Sequence, residues 1–122
     1  MPDARRHLGR LGEDLAAAHL ERLGYRIVAR NHRTRHGELD VVAADAGALV
    51  FVEVKTRRAR RPGRAWEALH PAKRLQVRRM AAAFLSEVPD RPTREELRFD
   101  AIGVTIDPEG RLVALEHLEG AF

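Results

Sequence analysis

GELDVVAADAGALVFVEVKTR, residues 37–57, is the stretch whose reading decides the fold. Two apolar runs, Leu39–Ala44 and Ala48–Lys55, flank Asp45-Ala46-Gly47, which reads as a hairpin turn. In the second run Ala48, Val50, Val52 and Val54 share one face, and Leu49, Phe51, Glu53 and Lys55 share the other. Both faces stay apolar until the strand's end, so it is expected to be central and covered on both sides. A two-residue loop at Ala46-Gly47, or a three-residue loop with a glycine bulge, sets Asp45 against Ala48. Asp40 then lies opposite Glu53, on the same side of the sheet.

Cross-strand neighbours have Cβ atoms about 4.5–5.5 Å apart. Two carboxylates at that separation repel unless a divalent cation lies between them, and hard oxygen ligands select Mg²⁺ or Mn²⁺ over zinc. Asp40, Glu53 and the carbonyl of Val54 are the candidate ligands. A metal there would acidify a bound water and offset charge in a phosphoryl transition state. Lys55 would orient the attacking water or hold the phosphate. The plain alternative is a strand-edge Asp in an ordinary salt bridge with Lys55.

Working outward, Leu8, Leu11, Leu15, Ala18 and Leu23 recur at helical spacing, so a helix is expected over Gly9–Leu23, ended by Gly24. Glu13 lies on the rim of its buried face, either as a third acid for the metal or as a surface residue favoured near a helix N-terminus. Tyr25–Asn31 reads as a half-buried strand, Thr56–His70 as a long loop, and Pro71–Val88 as a helix with Leu75, Ala82 and Leu85 in its buried stripe. Leu97–Ile106 and Arg111–Leu118 form a last strand pair. The order α-β-β-β-α-β-β, without repeats, describes a single α/β domain over residues 1–122.

Charge is unevenly spread. Between Lys55 and Arg79 lie ten basic residues against Glu67 alone, a net +9 that leaves −5 for the rest of a chain of net charge +4. Such a field attracts polyanions, nucleic acid above all. Arg57, Arg58, Arg60, Arg61, Arg64, Lys73 and Arg74 are the candidate nucleic-acid contacts, against the bland reading of a solvated loop and helix face. Only Lys55 and Lys73 are lysines among 22 basic residues, which marks both as candidates for work that needs a compact ammonium. Trp66 is either a base-stacking residue or a side chain packed on its own domain. With aromatics at 5%, backbone or shape recognition is expected over an extended stacking platform. Cysteine is absent, no run approaches a membrane span and the N-terminus lacks a signal-peptide core, all of which suits a reducing cytoplasm.

GELD at 37–40 followed by FVEVKTR at 51–57 resembles the YraN family of uncharacterised bacterial proteins. The resemblance extends to GxxGE at Gly9–Glu13, NHR at Asn31–Arg33, Lys73, RFD at Arg98–Asp100 and the closing AF. That family is similar to archaeal Holliday junction resolvases of the PD-(D/E)xK nuclease superfamily. The resemblance implies a restriction-endonuclease-like fold, with a mixed central sheet flanked by helices. It implies an active site of a helix Glu, an Asp and an ExK pair, positions held here by Glu13, Asp40, Glu53 and Lys55. Glu38 shares strand parity with Asp40 and is either a further acid of the site or a strand-entry residue.

The function expected is a Mg²⁺-dependent endonuclease acting on branched or structured DNA. Its rivals are a non-catalytic nucleic-acid-binding module of the same fold and a protein-interaction domain whose basic patch meets an acidic partner. A homodimer would suit paired cuts in two strands, although no residue identifies an interface.

Overall fold

The structure, a computed structural model, describes residues 4–63 and 71–122. Helix α1 (Ala4–Arg22) leads into strands β1 (Arg26–Thr34), β2 (Gly37–Ala44) and β3 (Ala48–Arg58). Helix α2 (Pro71–Glu87) then crosses to β4 (Glu96–Ile106), and β5 (Leu112–Leu118) closes the sheet. Strand order follows the chain, β1-β2-β3-β4-β5, and every pair is antiparallel except β3 with β4. A parallel pair needs a crossover, and α2 supplies it. This mixed sheet flanked by two helices is the α/β, restriction-endonuclease-like architecture expected.

The hairpin has the expected register, Val41 opposite Val52 through Ala44 opposite Leu49. Asp45 fixes its turn by accepting the N–H groups of Gly47 at 3.0 Å and Ala48 at 2.8 Å. The two faces of β3 also fall as their alternation requires. Ala48, Val50 and Val52 pack with Ala16 and Leu20 of α1, whereas Leu49 and Phe51 pack with Val77, Met80 and Phe84 of α2.

Three expectations need correction. Strand β3 runs on through Thr56–Arg58, because β4 offers those residues partners from Val104 to Ile106, so the loop begins later than Thr56. On α2 the buried residues are Val77, Met80, Ala81 and Phe84, while Leu75 is 50% exposed and Ala82 faces solvent. Apolar residues are scattered around that helix, so spacing alone selects no single stripe. Leu23 is 55% exposed because α1 ends at Arg22 and the chain turns away through Gly24, at φ 96°.

Sheet and C-terminus are locked by a buried charge. Asp100, fully buried on β4, accepts two bonds from Arg98 (2.9 and 3.0 Å), one from the Gly120 N–H (3.1 Å), and faces His117 Nε2 at 2.8 Å. A carboxylate with this many partners is held ionised in the core at a tolerable desolvation cost. The RFD and AF motifs thereby acquire a structural role, since Phe99 also accepts the N–H of Ala121.

Helix α1 approaches β3 most closely at Gly12, where an added Cβ would overlap the hydroxyl and methyl of Thr56. Gly12→Ala is therefore expected to lower stability by about 1–3 kcal/mol in urea unfolding, although alanine is the better helix former by about 1 kcal/mol. Unchanged stability would show that α1 does not seat on Thr56.

Candidate metal centre

Pairing between β2 and β3 stops at Val41–Val52, one step short of Asp40 and Glu53. Beyond that point the N–H of Val54 donates to Asp40 Oδ2 at 2.8 Å. The two acids thus meet at the end of the ladder rather than as the regular same-face pair expected from register. The cause lies in a matched irregularity of β1 and β2. Asn31 sits at φ 53°, the left-handed region, and it is the single non-glycine residue with positive φ among the described residues. Arg30 pairs with Val41 and His32 with Leu39, so Asn31 and Asp40 drop out of the ladder together. At this level two successive residues of each strand turn towards α1. Arg30 reaches Asp14 at 2.7 Å and Asn31 reaches Glu13. On β2 it is Asp40, beside Glu13, and Val41, in the α1 core.

Glu13, Glu38 and Asp40 each bring a carboxylate oxygen into a group whose members lie within 4.8 Å of one another. With its amide nitrogen turned to the acids, Asn31 donates to Glu13 Oε1 at 2.9 Å and Glu38 Oε1 at 3.0 Å. Glu53 approaches from the α2 side. It is 6% exposed, and its Oε1 has no hydrogen-bond partner among the described residues, with Lys73 Nζ 3.5 Å away. Lys73 is steered by Gln76 Oε1 at 3.4 Å, and Gln76 is itself anchored on the His36 carbonyl at 2.9 Å.

This assembly is short of positive charge. Burial, then the neighbouring Asp40, pushes the Glu53 carboxyl up to about 8, against the pull of Lys73. Partial burial, then Asp40 and Glu38, pushes Glu13 up to about 7. Asp40 is raised by burial too, although the Val54 N–H works against it. An oxygen-seeking divalent cation would offset the repulsion that Lys73, 3.5 Å from Glu53 Oε1, leaves in place.

The structure brings Glu13 and Asp40 together with Glu38, and it sets Glu53 beside Asp40 alone of these three, with Val54 adjacent through its N–H. Lys55 is exposed and makes no ion pair among the described residues, so the alternative of an Asp40–Lys55 salt bridge is not formed, and the lysine that reaches the acids is Lys73, at Glu53. In the basic segment Arg58 donates to the Asp107 carbonyl at 2.8 Å and Arg60 pairs with Glu109 at 3.2 Å, both at the β4–β5 turn. Arg57 is turned in beneath Gly63. Arg61 and Arg74 are exposed, while Arg64 and Trp66 lie outside the described residues. Asn31 went unrecognised as part of the site. Its clues were its place in the NHR motif and a polar side chain tolerant of positive φ, one strand before the acids.

The family model described as uncharacterised protein family UPF0102 matches residues 12–104. The chain belongs to the UPF0102 family. A UPF0102 protein of Pelotomaculum thermopropionicum is 47% identical over 122 residues, covering all of both chains. Another, from Symbiobacterium thermophilum, is 48% identical over 107 residues, 88% of this chain and 89% of its own. A UPF0102 protein of Mycolicibacterium gilvum is 48% identical over 120 residues, covering 97% and 95%. The resemblance to YraN proteins drawn from GELD and FVEVKTR is borne out by this membership.

Carboxyls raised from about 4.5 to about 7 and 8 mean that folded UPF0102 protein keeps protons that the unfolded chain releases. Ionisation then opposes folding, so this contribution is favourable below about pH 4.5 and lost as pH rises to about 8. Melting temperature in EDTA is expected to fall across that window, with Mn²⁺ flattening the decline and Glu53→Gln removing its larger share. A profile in EDTA that is flat for the wild type would rule out the charge crowding.

Proposed function

We propose that this chain is a metal-dependent endonuclease that hydrolyses phosphodiester bonds of branched or otherwise structured DNA. The observation that carries this reading is the buried Glu53 oxygen without a hydrogen-bond partner, set beside an Asp40 that is already fixed on the Val54 N–H. Buried carboxylates of this kind are stable only when paired or bound to a metal. Asp40, Glu53 and the Val54 carbonyl would hold Mg²⁺ or Mn²⁺, with Glu13 completing the set. The ion would supply Lewis acidity and a bound water of lowered pKa.

The remaining work falls to the chain's own side chains. Lys73 holds positive charge at 3.5 Å from Glu53 and keeps that carboxylate oriented. Lys55, exposed two residues beyond Glu53 on β3, would offer an orientable ammonium for a phosphate oxygen or the attacking water. Asn31 occupies one oxygen each of Glu13 and Glu38, which would leave the second Glu13 oxygen for the ion or its water, while the second oxygen of Glu38 pairs with Arg33. The low aromatic content and the excess of Arg favour contacts to a phosphate backbone, with structure rather than sequence recognised.

Cleavage of labelled duplex, flap and four-way-junction DNA under Mg²⁺, Mn²⁺ or EDTA tests the reading. Cutting is expected only with metal, and Asp40→Asn and Glu53→Gln are each expected to slow it about 100-fold or more. Lys55→Ala is expected to reduce the rate while DNA affinity changes little. Salt-sensitive binding with no cutting under any metal would instead identify a non-catalytic nucleic-acid-binding module.

A further inference from the structure

Beside the acids, on the α1 side of β1 and β2, a cleft of about 520 Å³ opens. Half-buried Glu13 and Glu38, exposed Arg6, Arg10 and Arg33, and Gly9 and Asn31 line it. Two carboxylates and three guanidinium groups lining one cleft make a site with two demands. A simple anion is repelled by the acids, and a simple cation by the arginines. A phosphodiester chain bridged to the acids by a divalent cation meets both.

Arg6 and Arg10 are exposed and stand one helical turn apart, about 6 Å along the axis. Neither makes an ion pair among the described residues, whereas Arg33 reaches back to Glu38 Oε2 at 3.3 Å. The second observation is Gly9. Glycine is the poorest helix former after proline, yet Gly9 sits inside α1 without a positive φ. A Cβ added there would meet nothing within 4 Å, so packing does not demand glycine either, in contrast to Gly12. What a bare backbone at Gly9 provides is room in the cleft wall for another chain to lie close.

We propose that this cleft receives the sugar-phosphate backbone of the strand to be cut. Arg6, Arg10 and Arg33 bind phosphates that flank the one at the metal centre, and Gly9 lets that strand lie against α1. The proposal rests on the endonuclease reading and deepens it. It adds a track of phosphate contacts on the α1 side, apart from the basic segment that follows β3.

The test is binding of fluorescein-labelled duplex and four-way-junction DNA by anisotropy, with Ca²⁺ as the divalent ion and probe integrity checked on a gel. Melting temperature is recorded for every variant. Arg6→Ala combined with Arg10→Ala is expected to weaken binding about 10–50-fold and to reduce the slope of log affinity against log salt by about two. Gly9→Ala is expected to raise the melting temperature by about 4 °C while weakening binding about fivefold or more, and Gly9→Leu to weaken it further. Arg22→Ala, at the other end of α1, is expected to change affinity less than twofold.

Wild-type binding with the Gly9 variants unaffected, or with the Arg6 and Arg10 variants no weaker than Arg22→Ala, would overturn this cleft assignment and leave the nuclease reading standing. Failure of the wild type to bind either DNA would remove both. Opposite movement of stability and affinity at Gly9 is an outcome that a merely structural glycine would not give.

Discussion

The amide of Val54 lies where β2 and β3 cease to pair, and a side-chain carboxylate, that of Asp40, satisfies it in place of a backbone carbonyl. A part-buried N–H without an acceptor is costly, so the strands can separate here only because Asp40 is present. That single bond also fixes one Asp40 oxygen against β3. Asp40 so fixed is the acid that both Glu13 and Glu53 meet. Removing the carboxylate would strand the N–H as well as emptying the acid group.

The two helices contribute opposite charges to the same end of the sheet. Helix α1 seats on Thr56 through Gly12, and the next residue, Glu13, is thereby carried over β2 to Asp40 and Glu38. Helix α2 seats through Val77, Met80 and Phe84, and its first turn brings Lys73 to Glu53. Gly37 admits this second approach, since a Cβ there would crowd Gln76 and Met80. Packing of each helix on its own face thus determines where an acid and a base arrive, and neither position is adjustable without disturbing a core.

Much of this was legible in the sequence because it depended on local rules. Alternation along Ala48–Lys55 placed each side chain of β3 on its observed face, and the Asp45-Ala46-Gly47 turn fixed the hairpin register. Glu13, Asp40 and Glu53 could be singled out on charge in apolar surroundings. The rest was set by long-range contacts. Strand β3 continues past Lys55 only because β4, almost fifty residues later, pairs with it. Lys73 reaches Glu53 through a crossover that no spacing rule specifies, and for the same reason the exposed Leu75 could not be told from the buried Val77. The turn of Asn31 and Asp40 towards α1 arises from two strands kinking together, which a period of two cannot express.

The parallel pairing of β3 with β4 has a further consequence for what can vary. Residues 59–70 join the end of β3 to the first turn of α2. Their near end is tethered by the Ala59 N–H on the Ile106 carbonyl, at 3.0 Å. Register along β3 and β4 is held by the strands themselves, over their whole length. The entropy of closing such a segment grows only logarithmically, by about 0.6 kcal/mol for each doubling of its length. A change in the length of that connection is therefore expected to cost little through chain entropy, and the register that positions Asp40 and Glu53 does not run through it. The fold therefore places the acids on elements whose register is set elsewhere, so that the connection between β3 and α2 can differ in length without moving them.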